Sequence, residues 1–207
     1  MNSVVLPRGV AGDDAARAAR AAGTGLWVFI GVATTLFALF LVAYGMRMDS
    51  GGDWSPLAMP WQLWLSSLLL VGASMVMQQS SHAARAGSWG RARPLLWAGG
   101  GLALAFLVSQ WWAWQALGAA RVALAGNPAA SFFYLLTAMH ALHLLGGLAA
   151  WAVTAQLAWE RADPARVALR IALCARYWHF LLILWAVLFA ALGWLTPEVV
   201  RFICGRG

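Results

Sequence analysis

The sequence predicts an all-α, polytopic membrane protein with five transmembrane helices, and three observations carry that prediction. The composition is 62% hydrophobic and only 10% charged, with 14 Trp in 207 residues, more apolar surface than a soluble domain of this size can bury. Five continuous apolar runs each approach the roughly 20 residues that a helix needs to cross a hydrocarbon core about 30 Å thick. The runs show no period of two, which selects helices over a membrane barrel. All seven acidic residues (Asp13, Asp14, Asp49, Asp53, Glu160, Asp163 and Glu198) fall outside the runs. Buried carboxylates usually mark proton or ion paths, so the pattern argues against a pump or proton-coupled transporter.

The spans are read at about 25–46, 61–80, 95–118, 131–158 and 177–196, which form one membrane domain over 25–196. Residues 1–24 precede it. They carry charges but no apolar core, unlike a signal peptide, and the Ala-rich stretch with Asp13, Asp14, Arg17 and Arg20 suggests a short cytoplasmic or surface helix. The first connection, Arg47 to Pro60, holds Gly51, Gly52 and Pro56 and reads as an outer turn. The second, His82 to Pro94, is Arg-rich, with Pro94 placed to start the third helix. The third is short and ends on Asn127-Pro128, a helix-start pair. The fourth, Trp159 to Arg176, carries mixed charge around Asp163-Pro164 and reads as a loop or amphipathic surface segment. Residues 197–207 form an external tail.

Orientation follows from the cations, all of which are Arg. With the N-terminus in the cytoplasm, Arg8, Arg17, Arg20, Arg85, Arg91, Arg93, Arg161, Arg166, Arg170 and Arg176 lie inside. Only Arg47, Arg121, Arg201 and Arg206 lie outside. That bias satisfies the positive-inside rule and suits a bacterial inner membrane, with the C-terminus outside. It explains the net charge of +7 without nucleic acid, which would call for a basic soluble module. Cys174 and Cys204 are expected at opposite edges of the membrane, unable to pair. Most Trp residues, Trp178 among them, read as interfacial anchors. The small residues Gly99, Gly100, Gly101, Ala103 and Ala105, and Gly146, Gly147, Ala149 and Ala150, suit close approach of the third and fourth helices to each other or to a partner.

Three of the four histidines lie inside the spans. His140 and His143 are three positions apart, on one face of the fourth helix. His179 begins the fifth, beside Tyr177 and Trp178. A pair at this spacing cannot ligate one haem from both sides, and two haems would need four axial residues. Zinc, iron or manganese would normally recruit a carboxylate or thiolate as well, and no carboxylate lies at depth. The expectation is therefore no cofactor in this chain, with the histidines engaged in buried hydrogen bonds. Gln110 is expected to face His140, His143 or another helix. No nucleophile–base pair, phosphate loop or carboxylate pair is present, so the residues supply no catalytic machinery.

Three segments carry a family resemblance. Thr137-Ala-Met-His140-Ala-Leu-His143-Leu-Leu-Gly146 is similar to a Thr-Gly-x-His-x-x-His-x-x-Gly helix. Arg176-Tyr177-Trp178-His179-Phe180 with Trp185 is similar to a Tyr-Trp-His-Phe-x-x-x-x-Trp start of a last helix. Gly25-Leu-Trp27 through Tyr44 is similar to a first helix. Together they resemble subunit III of the haem-copper oxidases (cytochrome c oxidase and quinol oxidase subunit III, five-helix form) over about residues 25–196. The chain departs from that pattern at Val32-Ala33, Ala113 and Leu181-Leu182, where the family often has carboxylates. Those losses leave the histidines to pair with each other, with Gln110, with Tyr177 or with lipid phosphate.

The resemblance implies a non-catalytic subunit, with haem and copper in partner subunits. It implies packing on oxidase subunit I and support of assembly, proton uptake and turnover in aerobic respiration. It further implies phospholipid held in a cleft between helices 1–2 and helices 3–5. His140, His143, His179, Trp178, Tyr177, Gln110, Arg176 and Arg85 are the lipid-binding or structural candidates, with Arg91 and Arg93 beside them. The alternatives are the nitric oxide reductase accessory protein of the same superfamily, a small haem-binding membrane electron carrier, and a transporter or channel.

Overall fold

The computed structural model describes the backbone of residues 8–50, 54, 59–119, 127–160 and 162–203, with side chains over 17–49, 54, 59–119, 127–160 and 162–200. Every element among them is helical: α1 (Arg8–Ser50), α2 (Gln62–Arg85), α3 (Trp89–Ala119), α4 (Pro128–Trp159), α5 (Pro164–Trp194) and α6 (Pro197–Ile203). Four of these are long and apolar enough to cross a membrane: Arg17–Asp49 of α1, α3, α4 and α5. Gly51, Gly52, Asp53, Pro56, Arg121, Arg161, Cys204 and Arg206 lie outside the described residues, as do the side chains of Arg8, Asp13, Asp14 and Arg201.

The helices run longer than the apolar runs, and capping chemistry accounts for several of the ends. The Asp13–Arg20 stretch is continuous with α1 rather than a separate surface helix. Its alanines favour helix, and at 1.5 Å per residue the 43 residues of α1 extend roughly 65 Å, about twice the hydrocarbon core. Asn127 caps α4, its side-chain oxygen accepting from the Ala129 N–H at 3.0 Å with Pro128 in the first turn. Asp163 does the same for α5 through the Arg166 N–H at 3.1 Å, followed by Pro164. Both pair a capping acceptor with the residue that best tolerates the first helical position. The stretch from Pro164 to Arg176 is thus the start of α5, not a loop. Pro94 lies inside α3, which begins at Trp89. α2 ends on a Schellman motif, the Gly87 N–H bonding the Ala84 carbonyl and the Ser88 N–H the Ala83 carbonyl. Gly87 has φ +71°, the left-handed conformation that glycine adopts without penalty. In the tail, α6 lays Val200 against Tyr44 and Met48 of α1.

Helices α2, α3 and α4 alternate in direction along the chain. Ser80 Oγ donates to the Ala92 carbonyl at 2.8 Å and Ser109 Oγ to the Gln62 carbonyl at 3.2 Å, so α2 and α3 are antiparallel along their length. Trp151 Nε1 donates to the Leu96 carbonyl at 2.8 Å, and Trp114 Nε1 to Thr137 Oγ1 at 3.1 Å, so α3 and α4 are antiparallel too. α2 carries Ser66, Ser67, Ser74, Gln78, Ser80 and Ser81, and most of these turn inward. The same residues dilute its hydropathy and make its contacts.

The grouping expected of the helices is not the one observed. α2 packs against α3 and α5, and α1 is the element set to one side, touching α4, α5 and α6. The reason lies in the side chains. α2 offers hydroxyls and amides that need partners across a helix interface, whereas α1 is apolar almost all round and only Ala33, Phe37, Tyr44 and Met48 of its described residues are buried.

Candidate functional site

The polar residues of the bundle core separate into two groups along α2. Near the end where α2 begins, Gln110 Nε2 donates to Ser66 Oγ at 2.9 Å and Trp185 Nε1 donates to Ser67 Oγ at 2.9 Å. One turn and more along, His179 Nδ1 pairs with Ser74 Oγ and His179 Nε2 with Gln78 Oε1 at 3.2 Å. Gln78 Nε2 in turn meets His82 Nε2 at 3.0 Å. Apart from the Gln78–His82 contact, which lies within α2, these bonds tie α2 to α3 and α5, and interhelical bonds in a membrane setting contribute roughly 0.5–2 kcal/mol each.

His140 and His143 do not act as a pair. His140 is fully buried, its ring 5.7 Å from Phe106 and 5.2 Å from Trp185. His143 turns toward α1, 5.8 Å from Phe29 and 5.3 Å from Phe37, and its Nδ1 donates to the Met139 carbonyl at 2.8 Å. Three positions on a helix leave a 60° offset, enough to send one ring into the core and the other to the seam with α1. Among the described residues neither nitrogen of His140 has a hydrogen-bond partner, and Gln110 Oε1 and Trp178 Nε1 are also buried without one. Of the pairings open to these histidines, none with each other or with Gln110 forms. Tyr177 bonds the backbone only, its hydroxyl donating to the His143 carbonyl at 2.9 Å. Among the described residues no three His, Cys, Asp or Glu side chains gather as a metal-binding group.

Trp178 is fully buried rather than interfacial, its ring edge beside Gly147. It and Tyr177 floor a cavity of about 540 Å³ between α1, α4 and α5, walled by Leu26, Phe29, Leu142, His143 and Gly146. Ala150, Leu173 and Cys174 are shared with a second cavity of about 760 Å³, where Ala18, Ala19 and Ala22 of α1 face Asp163, Arg166 and Arg170 of α5. The two form one groove, apolar at depth and charged where α1 and α5 begin. Among the predicted residues it gathers His143, Tyr177 and Trp178. It leaves out Gln110 and His140, which belong to the core, and Arg85 and Arg176, which are exposed elsewhere. The groove also brings in Arg166 and Arg170, which the apolar-run pattern assigns to a connecting segment. The Asp163-Pro164 capping pair was the clue, since a helix starting there places both arginines on an ordered surface.

No family model matches the chain. Its curated relatives include a probable cytochrome c oxidase subunit 3 of Mycobacterium leprae (29% identical over 165 residues, 76% of this chain and 77% of the relative). A probable cytochrome c oxidase subunit 3 of Mycobacterium bovis is 27% identical over 158 residues (74% and 77%). The cytochrome c oxidase subunit 3 of Thermostichus vulcanus is 26% identical over 179 residues (83% and 86%). These names agree with the resemblance carried by the two histidine-bearing helices.

Proposed function

We propose that this chain is the non-catalytic subunit III of a haem-copper terminal oxidase complex, seated on catalytic subunit I in a bacterial inner membrane and holding phospholipid between α1, α4 and α5. The observation that carries the reading is the alignment of about three quarters or more of the chain with proteins named cytochrome c oxidase subunit 3. The polar core supports it, because most of its hydroxyl and amide groups are spent on helix-to-helix bonds. In this reading haem and copper reside in the partner subunits, and assembly, proton uptake and turnover benefit from a scaffold that does no chemistry itself.

The lipid assignment rests on the groove's chemistry. Guanidinium groups pair with phosphate oxygens bidentately, and basic pockets between membrane helices on the cytoplasmic side suit anionic headgroups. Arg166 and Arg170 supply the cations, and Phe29, Leu142 and Gly146 line the space for an acyl chain. α2, antiparallel to α3 over its length, is the fifth span, with the N-terminus in the cytoplasm as the arginine bias requires.

The test is a mild-detergent pull-down of the tagged full-length chain, read by reduced-minus-oxidised absorbance and by identifying the captured subunits. Haem bands arriving with a large haem-copper partner are expected. A haem spectrum from the isolated chain, or recovery with no oxidase subunit, overturns the reading.

A further inference from the structure

We propose that Ser74, His179, Gln78 and His82 form a proton-responsive relay in which the protonation of surface His82 sets the tautomer of His179. The inference concerns this chain alone and holds whichever complex it joins. His82 is exposed near the end of α2, Gln78 and His179 are half-buried, and Ser74 is buried. The contacts run unbroken: His82 Nε2 to Gln78 Nε2 at 3.0 Å, Gln78 Oε1 to His179 Nε2 at 3.2 Å, and His179 Nδ1 to Ser74 Oγ.

Donor and acceptor chemistry gives this chain a direction. A carboxamide presents its oxygen to one neighbour and its NH2 to the other, and a neutral imidazole has one donor and one acceptor. In the arrangement observed, Gln78 donates to the bare Nε2 of His82, which keeps its proton on Nδ1. Gln78 Oε1 accepts from His179 Nε2–H. His179 Nδ1 is then bare and accepts from the Ser74 hydroxyl. All bonds point outward, from Ser74 to His82.

When His82 Nε2 takes a proton from solvent, two donors face each other. The contact survives only if the Gln78 amide rotates and its oxygen accepts from His82. The NH2 then confronts His179 Nε2, which must lose its proton while Nδ1 gains one and donates to Ser74 Oγ. One proton enters at His82, and His179 stays neutral, carrying its single proton on Nδ1 instead of Nε2. The polarity of the whole relay reverses.

Further titratable and charged groups on the helices packed here are Arg85 on α2, Arg91 and Arg93 on α3, Tyr134, His140 and His143 on α4, Arg166, Arg170, Cys174, Arg176 and Tyr177 on α5, and Arg17, Arg20, Tyr44, Arg47 and Asp49 on α1. The described acids nearest in sequence to α5's start are already engaged, Glu160 with Gln156 and Asp163 with the Arg166 N–H.

The experiment uses the full chain, 15N-labelled at histidine, in phospholipid nanodiscs, with imidazole nitrogens followed by NMR between about pH 8 and pH 5, where an imidazole takes up its proton. The pyrrole-type and pyridine-type signals of His179 are expected to exchange between Nε2 and Nδ1 with the midpoint of His82 protonation. In Gln78→Met the exchange at His179 is lost. Should that variant fail to fold, His82→Asn at the exposed position is expected to hold His179 in one tautomer throughout. The proposal is overturned if His179 keeps its tautomer while His82 protonates, or becomes doubly protonated in step with it. Exchange that persists in either variant overturns it equally.

Discussion

His140 shows how a single side chain can be both necessary in volume and dispensable in chemistry. Its ring fills space between Phe106 and Trp185, yet among the described residues neither nitrogen has a partner. A buried polar group without a bond is destabilising, and an apolar replacement of similar shape can be neutral or better. His140→Leu is therefore expected to keep or raise the melting temperature of the detergent-solubilised chain. His140→Ala opens a cavity and should lower stability by about 2–4 kcal/mol, weakening assembly with no change in the haem spectrum of a copurified partner. A large loss in the Leu variant would show that the imidazole nitrogens matter. The burial of His140 was legible in its sequence surroundings, Thr137-Ala-Met-His140-Ala-Leu. Its separation from His143 was not, because a 60° offset becomes a difference of environment only once α1, α3 and α5 are in place.

Between helices, close approach depends on particular glycines. A Cβ on Gly100 would lie 2.1 Å from the Trp151 ring, and that ring is held by its bond to the Leu96 carbonyl. A Cβ on Gly101 would meet nothing within 4 Å. Gly100→Ala should thus destabilise by about 1–3 kcal/mol through overpacking, and Gly101→Ala should be neutral or gain up to about 1 kcal/mol of helix propensity. Paired thermal melts of the two variants decide it, and equal behaviour would refute the α3–α4 contact. The run Gly99-Gly100-Gly101 announced a close approach from sequence alone. Which glycine faces α4 depends on the rotation of α3, a tertiary quantity. Hydropathy likewise located most of α4 but began the last helix at 177, since Arg166, Arg170 and Arg176 interrupt the apolar run while leaving helix geometry intact.

Across the whole molecule, charge and apolar depth meet in the groove beside α1. Arg166→Ala with Arg170→Ala should reduce the phospholipid retained after mild-detergent purification, measured by phosphate analysis or native mass spectrometry, while Arg85→Ala, outside the groove, should not. Equal retention in all variants would detach lipid from this groove. By itself the sequence determined the helical class, the place of three histidines within long apolar helices, the arginine bias and the likeness to subunit III. Each is a local property, a matter of run length, residue type and spacing along one chain. The tertiary structure decided which helix stands apart, which histidine is buried, and that Arg166 and Arg170 share a groove with Tyr177 and Trp178. Those outcomes depend on how helices rotate about their axes and on which polar groups find partners across an interface. The hydroxyls and amides of α2 make it a core helix bonded to α3 and α5, while the nearly uniform apolarity of α1 leaves it at the edge.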